Sequence, residues 1–219
     1  MLIRPFLLTF ASMKRQESSE YIHFLIAQGE HQQQDFKFEI SDARKIAKTL
    51  SAFANTDGGR LLIGVKDNGK IAGVACEEEQ YMIQAAAEQY CKPGVVYSMQ
   101  TYCVNGKNVL LVEIAPSEKK PVYAQDDNGK FWAYVRVADE NILASPVHLQ
   151  MWRQTESIAG ELVAFTEREQ RLLQLLQQYD TLSLNACCRK IDLPRKAVEQ
   201  LLAKLIRYEI VETAFDGQK

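Results

Sequence analysis

Three Asn-Gly dipeptides, Asn68-Gly69, Asn105-Gly106 and Asn128-Gly129, constrain this chain more than any other feature. The two central residues of a type I′ turn need positive φ, which Asn and Gly adopt at little cost, and that turn suits the twist of antiparallel strands. The middle of the chain is thereby committed to hairpins. The pattern predicts a buried strand over 60–66 with a return strand over 70–75. It also predicts paired strands over 95–104 and 107–114, and a further strand over 130–137.

Helices interrupt this scheme. Tyr21, Phe24 and Leu25 fall at helical spacing within 17–28. Residues 35–40 alternate strictly, which predicts a strand with Phe36, Phe38 and Ile40 on a core face and Asp35, Lys37 and Glu39 opposite. Ser41 is the expected N-cap of a helix whose Ala43, Ile46, Ala47, Leu50, Phe53 and Ala54 form one apolar stripe, stopped by Asp57-Gly58-Gly59. Another helix is expected over 77–91. The body is an α+β domain, a mixed sheet with helices.

From Pro146 the chain turns helical. Helices over 166–178, 183–190 and 194–208, then an extended stretch over 210–214, predict a winged helix-turn-helix. The division expected is an N-terminal arm (1–16), the α+β domain (17–145), a helical linker (146–165) and the winged helix (166–219). Residues 1–12 are apolar but brief, carry Pro5 and run into Lys14-Arg15, so Met13 is read as the natural start rather than a signal peptide being inferred.

Charge and cysteine usage narrow the function classes. With 26 Lys+Arg against 28 Asp+Glu, the net charge of -2 excludes nucleic-acid or membrane binding by bulk charge and leaves local patches. One such patch is Arg189, Lys190, Arg195 and Lys196, around the turn before the last long helix, with Gln200 and Lys204 further along it. Phosphate anchoring by the cations, with Arg195, Lys196 or Gln200 reaching base edges, is the expected mechanism. Five cysteines without a C-x-x-C pair form no zinc framework and fit a reducing cytoplasm. No run approaches the ~18 apolar residues of a membrane span. The G-x4-G-K match at Gly64–Lys70 is followed by Ile71 in place of Ser/Thr and sits on a hairpin, so ATP binding there is not expected.

Three carboxylates, Glu30, Asp35 and Asp67, together with Lys37, form the candidate catalytic set. Carboxylates converging on one surface hold Mg²⁺ or Mn²⁺, which activate water against a phosphodiester. Solvated surface charge paired to lysines is the competing reading.

Glu30…Asp35-Phe36-Lys37, then Ser51-Ala52-Phe53-Ala54-Asn55-Thr56-Asp57-Gly58-Gly59, then Ile63-Gly64-Val65-Lys66-Asp67 closely resembles the Schlafen/AlbA-type domain family. Tyr134-Val135-Arg136 resembles its later Y-x-R element. The resemblance implies nucleic-acid binding, often in bacterial proteins labelled transcriptional regulators. It also implies, as the alternative, a metal-dependent endoribonuclease acting on structured RNA through Glu30, Asp35 and Asp67. Asp35 stands where the pattern has Glu, one methylene longer. Animal Schlafen enzymes combine two related lobes, so this single copy implies a homodimer on that reading.

Overall fold

The computed structural model describes residues 19–153 and 166–214; the expected arm and the linker beyond residue 153 lie outside them. The chain forms two compact units, divided between Leu143 and Ala144.

In the first unit, residues 19–27 form helix α1. Strand β1 (Gln34–Lys37) pairs parallel with β2 (Gly59–Ile63). Strand β2 pairs antiparallel with β5 (Lys107–Ile114), whose other edge takes β4 (Tyr97–Val104), giving the order β1-β2-β5-β4. A second sheet has the order β3 (Cys91–Lys92), β6 (Tyr123–Gln125), β7 (Phe131–Val137), β8 (Glu140–Leu143). Helix α2 (Ala43–Asn55) is buried between the sheets. Its Ile46, Leu50 and Phe53 join a core containing Leu61, Ile63 and Leu110 of the first sheet and Ala124 of the second, with helix α3 (Cys76–Glu88) adding Ile83. On the opposite face of the first sheet, Ile22 and Leu25 of α1 pack with Phe36, Leu62 and Leu111.

That double covering changes what strand parity means. Phe36 is buried against α1, yet Asp35 on the other face is also buried, at 3% exposure, paired with Arg136 of β7. Strand β1 ends at Lys37, so Phe38 leaves the ladder and is 46% exposed, with the Lys66 ammonium 5.1 Å from its ring centroid. The cap of α2 is Asp42, whose carboxylate accepts the Arg44 N–H at 2.8 Å, not Ser41.

The hairpin at Asn105-Gly106 forms with φ of 51° and 78°, the type I′ signature. The return strand expected over 70–75 shrinks to one bridge, Val65 to Ile71, because the Ala72 and Gly73 N–H groups both turn onto the Gly64 carbonyl. Gly69 N–H closes a tight turn onto Lys66 O at 2.7 Å, and no helix opens there as a phosphate-binding loop requires.

The second unit contains α4 (Pro146–Arg153), α5 (Glu167–Gln177), α6 (Leu184–Ile191) and α7 (Arg195–Arg207). Val147, Leu172, Cys187, Val198, Leu202 and Leu205 form its core, so α4 is part of this unit rather than a linker. Thr166 and Glu169 make a capping box at α5. Residues 210–214 pair with no strand, so the described residues carry the helices of a winged helix without the expected extended wing. Among the described residues, no helix is long and apolar enough to cross a membrane.

Candidate nucleic-acid interface

Four charged residues meet at the β1 edge. The Asp35 carboxylate lies 2.7 Å from Lys37 Nζ and 3.2 Å from the Arg136 guanidinium, which reaches in from β7. Arg136 is 2% exposed, stacks 5.1 Å over the Phe53 ring, and donates to Asn141 Oδ1 at 3.0 Å and to Gln34 O at 3.3 Å. Glu30 accepts the Phe36 backbone N–H at 2.9 Å. Lys37 Nζ donates to the Phe36 carbonyl at 2.8 Å. The E-x4-D-F-K element therefore closes a strand edge and anchors a buried arginine.

A divalent cation does not fit this arrangement. Asp35 is engaged by two cations already, and Glu30 is turned onto backbone. Asp67 is exposed on its turn, six residues beyond Leu61, the β2 partner of Asp35. Among the described residues, no group of three or more His, Cys, Asp or Glu side chains is placed to hold a metal ion. At the β1 edge Glu30 and Asp35 adjoin Lys37 and Arg136, while Asp67 is exposed on the turn after β2. The shorter Asp at position 35 is an ion-pair partner here.

Burial, and then the neighbouring Asp35 carboxylate, raise the Glu30 pKa, while the Phe36 N–H opposes the rise. A raised acid favours folding below its unfolded pKa of about 4.3 and loses that contribution as pH climbs through the folded value. Glu30→Gln keeps an acceptor for Phe36 and removes the charge. Thermal melts should therefore show the variant gaining stability relative to wild type at pH 7, with the gain disappearing by pH 4. A gain independent of pH would contradict this reading.

The most specific signature residues also serve the scaffold. Asn55 Nδ2 donates to Val122 O and Tyr134 O, each at 2.8 Å, and its Oδ1 accepts Val122 N–H at 2.8 Å. Ser51 Oγ donates to Val122 O at 2.8 Å and accepts Tyr134 N–H at 3.2 Å. Together they tie α2 to the second sheet. After them, Gly58 has φ 72° and backs onto Ile114 O, while a Cβ on Gly59 would enter the Phe53 ring at 2.5 Å.

In the second unit the predicted cations divide. Lys204 Nζ sits 2.6 Å from Glu169 Oε1. Burial would raise the Glu169 pKa, but the Lys204 and Thr166 hydrogen bonds hold it down at about 2. Lys204 therefore ties α7 to α5 instead of facing solvent. Lys190 Nζ bonds the Tyr179 hydroxyl at 2.8 Å. Arg195 pairs with Glu199 at 2.9 Å and donates to Asn185 Oδ1 at 2.5 Å, pinning α7 to α6. Arg189, Lys196 and Gln200 are exposed. A groove between α4 and α7 is lined by Leu149, Gln150 and Arg153 on one side and Arg195, Lys196 and Glu199 on the other. Arg153 escaped the sequence reading because α4 looked like a linker; an amphipathic α4 pattern, Val147 with Met151, was the available signal.

The Schlafen, AlbA_2 family matches residues 30–145, and the PCI domain family matches residues 165–216. No curated protein matches the sequence. Among solved structures, the DIP2311 protein from Corynebacterium diphtheriae is similar at 19% identity and TM-score 0.44, covering 69% of this chain and 31% of its own. The chain thus spans about a third of that protein's length. The N-terminal domain of a RecG-related protein, described as an ATP-dependent DNA helicase relative, from Nitrosomonas europaea is similar at 21% identity and TM-score 0.39, covering 68% of this chain and 95% of its own. With a match over more than half of its residues, the chain belongs to the Schlafen, AlbA_2 family.

Proposed function

We propose that this is a nucleic-acid-binding protein of the cytoplasm, a transcriptional regulator whose second unit grips the phosphates of duplex DNA. Family membership supports nucleic-acid binding in general. The observation that carries the rest is the cationic rim of the α4–α7 groove, where Arg153 and Lys196 flank the start of α7. Pro194 caps that helix without a side-chain acceptor, so its first N–H groups face an incoming anion with the helix dipole behind them. Arg189, exposed in the last turn of α6, is a further phosphate contact, and Gln200, one turn along α7 from Lys196, is the base-reading candidate. Arg195, Lys190 and Lys204 orient this surface through their bonds to Asn185, Tyr179 and Glu169.

Fluorescence anisotropy on duplex DNA and on hairpin RNA, each across a salt series, tests this. The double variant Arg153→Ala with Lys196→Ala should bind duplex DNA more weakly, and its log–log salt slope should flatten by about two units, close to one per lost phosphate contact. Lys130→Ala, on the first unit, should leave both unchanged. Unaltered affinity and slope in the double variant would remove this surface from DNA binding. Tighter binding of hairpin RNA than of duplex DNA would overturn the DNA assignment.

A further inference from the structure

Among the described residues, three of the four sheet edges are short, charged or closed by the chain's own groups, and one is open. At β1, the Phe36 N–H is taken by Glu30 and its carbonyl by Lys37. The Gln34 N–H meets His31 O, and the Gln34 carbonyl receives His31 N–H and Arg136. The β3 edge is two residues long and runs into Pro93, which has no N–H to offer. The β8 edge is four residues long and begins with Glu140. Short, charged or proline-terminated edges resist pairing with other chains.

Strand β4 is built the opposite way. Its eight residues, Tyr97–Val104, include neither a charge nor a proline. The type I′ turn makes Val104 and Lys107 a hydrogen-bonded pair, so Tyr102, Gln100 and Ser98 also point their backbone groups at β5. The Ala115 N–H to Val96 O bond follows the same alternation, and the Asn108 carbonyl, opposite Cys103, turns away to Val74 N–H. The N–H and C=O groups of Tyr97, Met99, Thr101 and Cys103 therefore point outward. Among the described residues none of them has a hydrogen-bond partner.

We propose that β4 pairs with β4 of a second copy of this chain, antiparallel about a two-fold axis through Gln100. In that register Tyr97 faces Cys103 of the partner subunit and Met99 faces Thr101 of the partner subunit, so every outward backbone group meets its complement. Shifting the register by two residues sets Tyr97 against the Asn105 turn and loses that match. A strand without charges also meets its own copy without like-charge repulsion, the device by which most edges prevent self-pairing. Strand pairing alone falls short of the about 1,200–2,000 Å² of a stable interface. Apolar rings beside the edge extend it: Tyr21 of α1, 37% exposed, contacts Tyr102 at 5.9 Å between centroids, and Phe24, 61% exposed, follows three residues along α1.

Gln100 provides the test because it faces its own copy on the axis. It is exposed, and within the chain its side chain accepts only the Tyr102 hydroxyl hydrogen bond. By light scattering coupled to gel filtration at tens of micromolar, the full chain should run at twice its 24.9 kDa mass. Gln100→Lys and Gln100→Glu, each alone, should dimerise at least tenfold more weakly while keeping the wild-type circular dichroism. An equimolar mixture of the two variants should recover the dimer, since opposite charges then meet on the axis. A monomeric wild type, including one whose residues 1–18 occupy the edge in cis, overturns the proposal. So does an undiminished dimer in either single variant, or a mixture that fails to recover it.

Discussion

Replacing Arg136 with Met should destabilise the first unit by about 3–5 kcal/mol, the cost of stripping a buried carboxylate of its partner. Asp35 is 3% exposed and would keep only Lys37, while Asn141 Oδ1 and Gln34 O would lose a donor. Chemical denaturation should register the loss, and a melting point lower by roughly 10 °C should accompany it. Adding Asp35→Asn to the variant should restore a good part of the stability, because the penalty resides mainly in the uncompensated charge. A loss below about 1 kcal/mol in the single variant would show that Asp35 is solvated well enough without the arginine.

Asn55→Ala should cost about 3 kcal/mol or more by removing a side chain that satisfies Val122 on both its N–H and carbonyl and also bonds Tyr134 O. Burial prevents water from replacing these bonds at low cost, since Asn55 is 3% exposed. Asn55→Asp should be at least as damaging: a carboxylate accepts from Val122 N–H but has no proton for the two carbonyls. Thr56→Ala, which removes only local bonds to Ala52 O and Phe53 O within α2, serves as the mild comparison. Equal denaturation midpoints for Asn55→Ala and Thr56→Ala would dismiss Asn55 as the tie between α2 and the second sheet.

Both residues belong to the stretches by which the family was legible in the sequence. Their environment makes them scaffold. The carboxylates illustrate the difference. Spacing along one chain put Glu30 and Asp35 near each other, and they are neighbours. It carried no information about Arg136, 101 residues from Asp35 in sequence, which pairs with that carboxylate. Asp67 lies exposed on the turn after β2, a position that spacing along one chain does not report. In the second unit, the sequence marked the basic residues as a group. Only packing separated Lys204, spent on Glu169, from Lys196, which is exposed.

What the sequence determined by itself is what local physics governs. The Asn105-Gly106 turn, the α2 stripe and the three helices from residue 167 onward were readable because φ preferences and 3.6-residue periodicity act within a few residues. The α+β class followed from those elements. Tertiary structure alone decided that the first sheet is covered on both faces, which buries Asp35 as well as Phe36. It also decided that β3, β6 and β8, each four residues or fewer, form a second sheet around α2. Such short strands carry little periodic signal and are stabilised by distant partners, as where Asn141 of β8 bonds Thr49 of α2. The physical reason is the same in each case: burial and ion pairing are set by residues far apart in the chain, and alternation in one segment reports a face without reporting what covers it.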